Sequence, residues 1–177
     1  MSDSRPDAHP PFLQLVESEG WQYTTRTRGT GVVGIVTLTT ANEVILVEQH
    51  RVPVGRPVLE LPAGLVGDEP DESRETRLEA AQRELREETG FTSTQWTELG
   101  MVTSSAGLTD EQVTIFVARE ADRRDPGGGV GDERIKVHVV PRDLLPGVLA
   151  ARLAAGEPVD GKVFAIEAML GLTESSP

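Results

Sequence analysis

The chain has 177 residues, 37% hydrophobic and 26% charged, which is enough apolar side chain for a folded core. It has no cysteine, which excludes disulfides, thiol nucleophiles and thiolate metal sites, and its three histidines (His9, His50, His138) lack a zinc-ligand spacing. A formal net charge of −12 argues against non-specific nucleic-acid binding but leaves room for a small anionic substrate, because a bound divalent cation reverses the local sign.

Residues 1–11, rich in Pro, Asp and Ser, read as a flexible tail before a single domain over 12–177, whose N-terminal arm covers 12–30. The N-terminus lacks a signal-peptide pattern, and no apolar run approaches about 18–20 residues. The expected location is therefore cytoplasmic, away from membranes. Trp21-Gln22-Tyr23-Thr24-Thr25 predicts a strand of the arm. Gly31 to Leu38 predicts a buried strand, Thr40 to Glu43 a turn, and Val44 to Gln49 the second strand of a hairpin. A short strand at Val58–Leu61 is stopped by Pro62-Ala63-Gly64, and an acidic loop runs from Leu65 to Ser73. Arg74 to Thr89 predicts a helix closed by Gly90.

Further strands are expected at Glu98–Thr103, Val113–Arg119 and Ile135–Val140. A glycine-rich loop, Pro126 to Gly131, precedes the last of them. One helix is expected from Pro141 to about Ala155 and another from Gly161 to Leu172. The order of elements suits an α/β fold, a mixed sheet covered by helices on two faces.

The helix carries the chemistry. At about 100° per residue, Leu78, Ala81 and Leu85 form an apolar stripe, and Glu84, Glu87 and Glu88 share a neighbouring arc. Read alone, such an arc is a solvated charged face, partly neutralised by Arg83 and Arg86. The Pro-Ala-Gly turn just before the helix changes that reading. It can aim a backbone carbonyl at the carboxylates, and carbonyl plus carboxylates is a Mg²⁺ or Mn²⁺ shell.

Two arginines, Arg51 and Arg56, flank Val52-Pro53-Val54-Gly55 just ahead of this turn. A guanidinium binds phosphate through two parallel hydrogen bonds, so both are candidate substrate-binding residues. Glu60 is a candidate acceptor for a ribose or adenine group, or else a strand-edge surface carboxylate.

Residues 83–91, Arg-Glu-Leu-Arg-Glu-Glu-Thr-Gly-Phe, match the second half of the Nudix box, R-E-U-x-E-E-x-G-U with U apolar. Residues 76–82 separate Glu75 from Arg83, the spacing that the box requires. The chain thus resembles the Nudix hydrolases, with the box over 64–91. A looser similarity to the ADP-ribose pyrophosphatases runs through Gln49-His50-Arg51, Leu59 to Gly64, and Ile135 to Val140. One departure stands out. Ten residues separate Gly64 from Glu75, where the box has five, which implies a five-residue insertion within Gly67 to Arg74.

The resemblance implies the Nudix α/β/α sandwich with an N-terminal β arm. It also implies metal ligation by Glu84 and Glu88, with Glu87 beside them, and by the Ala63 carbonyl. Glu75 and Arg83 are implied to pair and fix loop against helix. Trp21 is implied to stack on adenine at the interface of a homodimer with exchanged arms, whereas Trp96 reads as core. Ser104 to Glu111 is similar to the family's loop after the box helix, which makes Glu111 a candidate near the metals.

A base is needed unless metal alone activates the water. Glu133, which ends the mobile glycine-rich loop after Asp132, is the candidate base by its place before Ile135-Lys136-Val137. The function so implied is Mg²⁺-dependent hydrolysis of a nucleoside diphosphate derivative, ADP-ribose giving AMP and ribose 5-phosphate. Two alternatives stay open: a hydrolase of another NDP-sugar or of a dinucleoside polyphosphate, and a ligand-sensing domain without catalysis.

Overall fold

The computed structural model describes residues 12–27, 29–67, 74–131 and 133–174. The tail expected at 1–11, the middle of the acidic loop (68–73) and Asp132 lie outside the described residues.

Strands β1 (Leu13–Ser18) and β2 (Trp21–Arg26) form a two-stranded antiparallel sheet, turned at Glu19-Gly20 with both residues at positive φ. This hairpin is the arm. The main sheet has eight strands: β3 (Gly31–Thr39), β4 (Glu43–Arg51), β5 (Arg56–Glu60), β6 (Ala63–Val66), β7 (Phe91–Thr92), β8 (Gln95–Thr103), β9 (Gln112–Arg123) and β10 (Lys136–Pro141). Its backbone runs β10-β4-β3-β9-β7, with β5 paired to β4, β6 to β3 and β8 to β9. The β3–β9 pair is parallel and the other pairs are antiparallel, so the sheet is mixed as expected.

Period-two alternation splits the sheet into two cores. Val33, Ile35, Ile45 and Phe116 bury one face under helix α1 (Arg77–Thr89) through Ala80, Ala81 and Leu85. Val36, Leu38, Leu46, Ile115 and Val117 bury the other under α2 (Leu145–Ala154) and α3 (Ile166–Glu174). Each fully buried Leu or Ile contributes roughly 1.5–3 kcal/mol. Trp96, expected in the core, is half-buried and packs edge-on against Phe116 at the core's margin.

Several boundaries differ from the sequence reading. Ala63–Val66, expected as turn and loop, is strand β6 on the edge of β3. Helix α1 starts at Arg77 and not at Arg74, because Thr76 accepts the Glu79 N–H and Glu79 accepts the Thr76 N–H, a capping box. Gly90 closes it in the left-handed conformation. Leu78, expected in the apolar stripe, is exposed, and Ala80 is buried in its stead. Two adjacent alanines let α1 lie close on β3 and β6. Short 3-10 turns, Arg142–Leu144 and Gly161–Ala165, lead into α2 and α3.

Candidate active site

Strand β6 and helix α1 build the centre of the site. Glu88 is 5% exposed, and its Oε2 accepts the Ala63 N–H at 3.0 Å. Glu84 packs onto Gly64, where a Cβ would overlap its carboxyl group. Gly64, and not Gly67, is therefore the glycine against the helix. Gly67 has a different task and donates its N–H to Glu75 Oε2 at 3.0 Å.

Arg83 ties these parts together. Its Nε donates to Glu75 at 2.8 Å, its Nη1 to Glu84 at 2.8 Å and Glu87 at 3.2 Å, and its Nη2 to the Leu65 carbonyl at 3.0 Å. Burial works against the Glu75 charge, yet Arg83 and the Gly67 N–H hold its carboxyl below the usual range. Glu75 and Arg83 thus fix loop to helix, as the resemblance implies.

The other two carboxyls are shifted the opposite way. Burial pushes Glu84 up to about 7, with Arg83 opposing and the charges of Glu87 and Glu133 adding to it. Burial pushes Glu88 up to about 8, with Ala63 and Arg51 opposing and Glu84 and Glu133 adding. These are oxygen groups held out of water with too little positive charge around them.

Such a donor set suits a hard divalent cation. Among the described residues, however, no three carboxylate or imidazole groups already converge on one point. Glu84 and Glu88 are the preset pair, while Glu87 is half-exposed and turned to Arg83.

Glu133 lines the same cleft as Glu84 and Glu88, and its charge adds to raising both. The sequence predicts a free loop here, and the structure corrects that. Gly128 and Gly129 donate their N–H groups to the Glu88 and Glu87 carbonyls at 2.8 and 3.0 Å, so the loop is laid on the last turn of α1. Glycine is required at 127 because a Cβ there would overlap the backbone of Thr89 and Gly90. Glu133 itself accepts the Val130 N–H at 3.0 Å.

Around this centre opens a cleft of about 1000 Å³. Arg51, Glu60, Ala63, Glu84, Glu87, Glu88, Glu111 and Glu133 all line it. Arg51 and Glu60, expected as separate contacts, form one fork, with Nε to both carboxylate oxygens at 3.0 Å and Nη2 to Oε2 at 2.6 Å. Glu111 faces the cleft with its carboxylate held by Arg26 Nε at 2.6 Å.

Two candidates stand apart. Arg56 is exposed at the start of β5 and does not line the cleft. Trp21 is 65% exposed on the hairpin and also outside the cleft. The hairpin sits on the loop of its own chain. Thr24 N–H donates to Leu108 O at 2.9 Å, Thr25 Oγ1 to Asp110 at 2.8 Å, and Arg26 to Glu111.

Sequence reasoning missed Arg26, Asp160 and Lys162, which also line the cleft. The segment 158–160 reaches it by pairing with Leu59, whose N–H donates to Pro158 O at 3.1 Å and whose carbonyl accepts the Asp160 N–H at 2.9 Å. An Asp-x-Lys step across the start of the helix expected from Gly161 was the available signal.

The family model described as NUDIX domain matches residues 28–163. The chain is similar to the "Methanol dehydrogenase activator" of Bacillus methanolicus, 31% identical over 106 residues, 60% of this chain and 55% of that protein. It is 37% identical over 92 residues to the "ADP-ribose pyrophosphatase" of Bacillus subtilis (strain 168), 51% of this chain and 46% of that one. In these two the matched stretch spans only about half of the relative's length. The "GDP-mannose pyrophosphatase" of Enterobacter sp. (strain 638) is 31% identical over 146 residues, 77% of this chain and 71% of its own. Among solved structures, "Crystal structure of ADP compounds hydrolase" superposes with a TM-score of 0.61 at 18% identity, covering 94% of this chain and 98% of that one, which shows a shared fold.

Proposed function

The chain belongs to the Nudix family, and from that premise we propose that it is a divalent-metal-dependent hydrolase that splits the diphosphate of a nucleoside diphosphate joined to a second group, ADP-ribose first. One observation carries this reading. Glu88 is buried and Glu84 half-buried on the same helix, Glu133 lines the same cleft, and burial raises the two helix carboxyls to about 7 and about 8. A fold that only had to be stable would gain nothing from two such carboxyls. A fold that binds Mg²⁺ or Mn²⁺ needs them.

Under this reading Glu84, Glu88 and the Ala63 carbonyl would hold the metal, with Glu87 beside them. When bound, such an ion would neutralise charge developing on the phosphoryl oxygens and make water more acidic. Glu133 takes a proton from the attacking water, whose oxygen bonds to one phosphorus as the bridging P–O bond breaks. The freed phosphate oxygen keeps the electron pair, so ADP-ribose and water give AMP and ribose 5-phosphate. Arg51 steadies the diphosphate, and Glu60 fixes the Arg51 fork. Glu111 stands at the rim, positioned by Arg26. Trp21 stacks on adenine only if the arm or a second copy brings it to the cleft; a homodimer and a cytoplasmic location belong to the proposal alone. Among the described residues no helix is long and apolar enough to cross a membrane.

The name of the Enterobacter relative favours one second reading, a preference for another NDP-sugar. The decisive experiment is product release from ADP-ribose, NDP-sugars and dinucleoside polyphosphates, with Mg²⁺ and with EDTA. AMP from ADP-ribose in Mg²⁺ and none in EDTA is the expected result. Turnover of GDP-mannose alone would select the second reading, and no turnover of any would leave a ligand-sensing domain.

A further inference from the structure

Seven carboxylates line the cleft (Glu60, Glu84, Glu87, Glu88, Glu111, Glu133, Asp160) against four cations (Arg26, Arg51, Arg83, Lys162). An anionic diphosphate must find donors among those four. Arg83 is committed to Glu75, Glu84, Glu87 and the Leu65 carbonyl. Arg26 is held by Glu111. Arg51 gives its Nε and Nη2 to Glu60.

Lys162 is in a different position. Its Nζ lies 2.9 Å from each oxygen of the Asp160 carboxylate, which fixes the ammonium. An ammonium has three N–H donors, and one carboxylate accepts two of them at most. At least one donor remains. Asp160 is itself fixed, since its N–H is held by the Leu59 carbonyl and its Oδ1 accepts the Lys162 N–H at 2.8 Å.

Arg51 lines the same cleft. Burial works against its charge, while its bonds to Glu60 and the charges of Glu88 and Asp160 favour it.

We propose that Lys162, positioned by Asp160, is a second phosphate-binding cation of this cleft and contacts the diphosphate from the wall built by β5 and the segment before α3. This rests on the hydrolase reading above and adds a residue to it. Lys162 binds and orients phosphate oxygens; it moves no proton. Asp160 is a positioning residue that holds the ammonium in the cleft before substrate arrives.

The test is a set of three variants measured on the substrate that the wild type turns over. Lys162→Ala should raise KM about tenfold, the effect of one charge-assisted hydrogen bond, with kcat within about threefold. Lys162→Arg should restore KM to within about threefold of wild type, because a cation is retained. Asp160→Asn keeps an oxygen for the Lys162 N–H but takes the charge and one oxygen from the ammonium, and should raise KM, though less than Lys162→Ala does. A KM for Lys162→Ala within about twofold of wild type overturns the proposal. So does a Lys162→Arg variant no better than Lys162→Ala, because a cation alone then does not restore the contact. Calorimetric titration with non-hydrolysable α,β-methylene-ADP in Mg²⁺ reads the same contact without turnover. Lys162→Ala should weaken this binding about tenfold, and unchanged binding refutes the assignment. If the wild type hydrolyses nothing, the hydrolase reading fails, and this titration still decides on Lys162.

Discussion

Gly64 and Glu84 occupy one space: the room that a side chain on residue 64 would need is filled by the Glu84 carboxyl group. The glycine is required for close approach, since its φ does not lie in the left-handed region. Gly64→Ala should push Glu84 out of the site while β6 and α1 still form. Activity is expected to fall about 10²-fold, with the far-ultraviolet circular dichroism spectrum unchanged. Activity within about threefold of wild type would show that Glu84 has no fixed task.

Glu84→Gln and Glu88→Gln should each lower kcat about 10²-fold or more in a Mg²⁺ assay, because each removes one charge-stabilising group. Direct titration with Mn²⁺ should show weaker binding in both variants. If both bind and turn over like the wild type, the metal is held elsewhere.

The raised carboxyls set a direction for pH. Glu84 at about 7 and Glu88 at about 8 hold protons more tightly in the folded than in the unfolded chain, where such groups titrate near the ordinary 4.5. Between these values the unfolded chain binds fewer protons, so stability falls as pH rises. In EDTA the melting temperature should decline from about pH 5 to about pH 9 through this contribution. Mg²⁺ should restore most at the alkaline end, where the carboxylates are charged and available to it. A larger Mg²⁺ effect at acid pH would contradict this assignment.

Glu75→Gln should act on stability first. Glu75 is nearly buried, and its loss leaves Arg83 without its strongest partner. The melting temperature should fall by about 5 °C, on the order of 2 kcal/mol for a chain of this length. An unchanged melting temperature would remove the loop-to-helix tie from the account.

Glu133→Gln should lower kcat strongly and leave KM near wild type, because the ground state needs no base. Glu111 is already held by Arg26, so Glu111→Gln should do less. Arg26→Ala should reproduce the Glu111 effect, since both break one ion pair. Should Glu111→Gln be the crippling change, the roles of the two loops are exchanged. If neither variant is impaired, the water needs no side-chain base.

Helix α1 was legible because its signals are local: a 3.6-residue period, a closing glycine, and a box of fixed spacing. So were the mixed sheet and its cover of helices. Strand β6 was not, because Pro62-Ala63-Gly64 punctuates a turn and a strand entry alike, and pairing with β3 decides between them. Arg26 was hidden for another reason. Its partner Glu111 lies 85 positions away, and nothing near either residue reports that the hairpin docks on that loop. Asp160 and Lys162 likewise enter the cleft only through the backbone pairing of Leu59. For the loop before β10 the glycines were read as freedom, when at 127 glycine serves contact.

That contact makes the loop a ruler for the helix. Because the Gly128 and Gly129 amides end on the Glu88 and Glu87 carbonyls, any change in loop length between Asp125 and Gly129 is transmitted to the backbone of the two glutamates. Engineering here has an uneven tolerance. An inserted residue at 127–129 shifts the register of the site itself, whereas Gly131 has open space around its Cβ position and is kept as glycine by its left-handed φ alone.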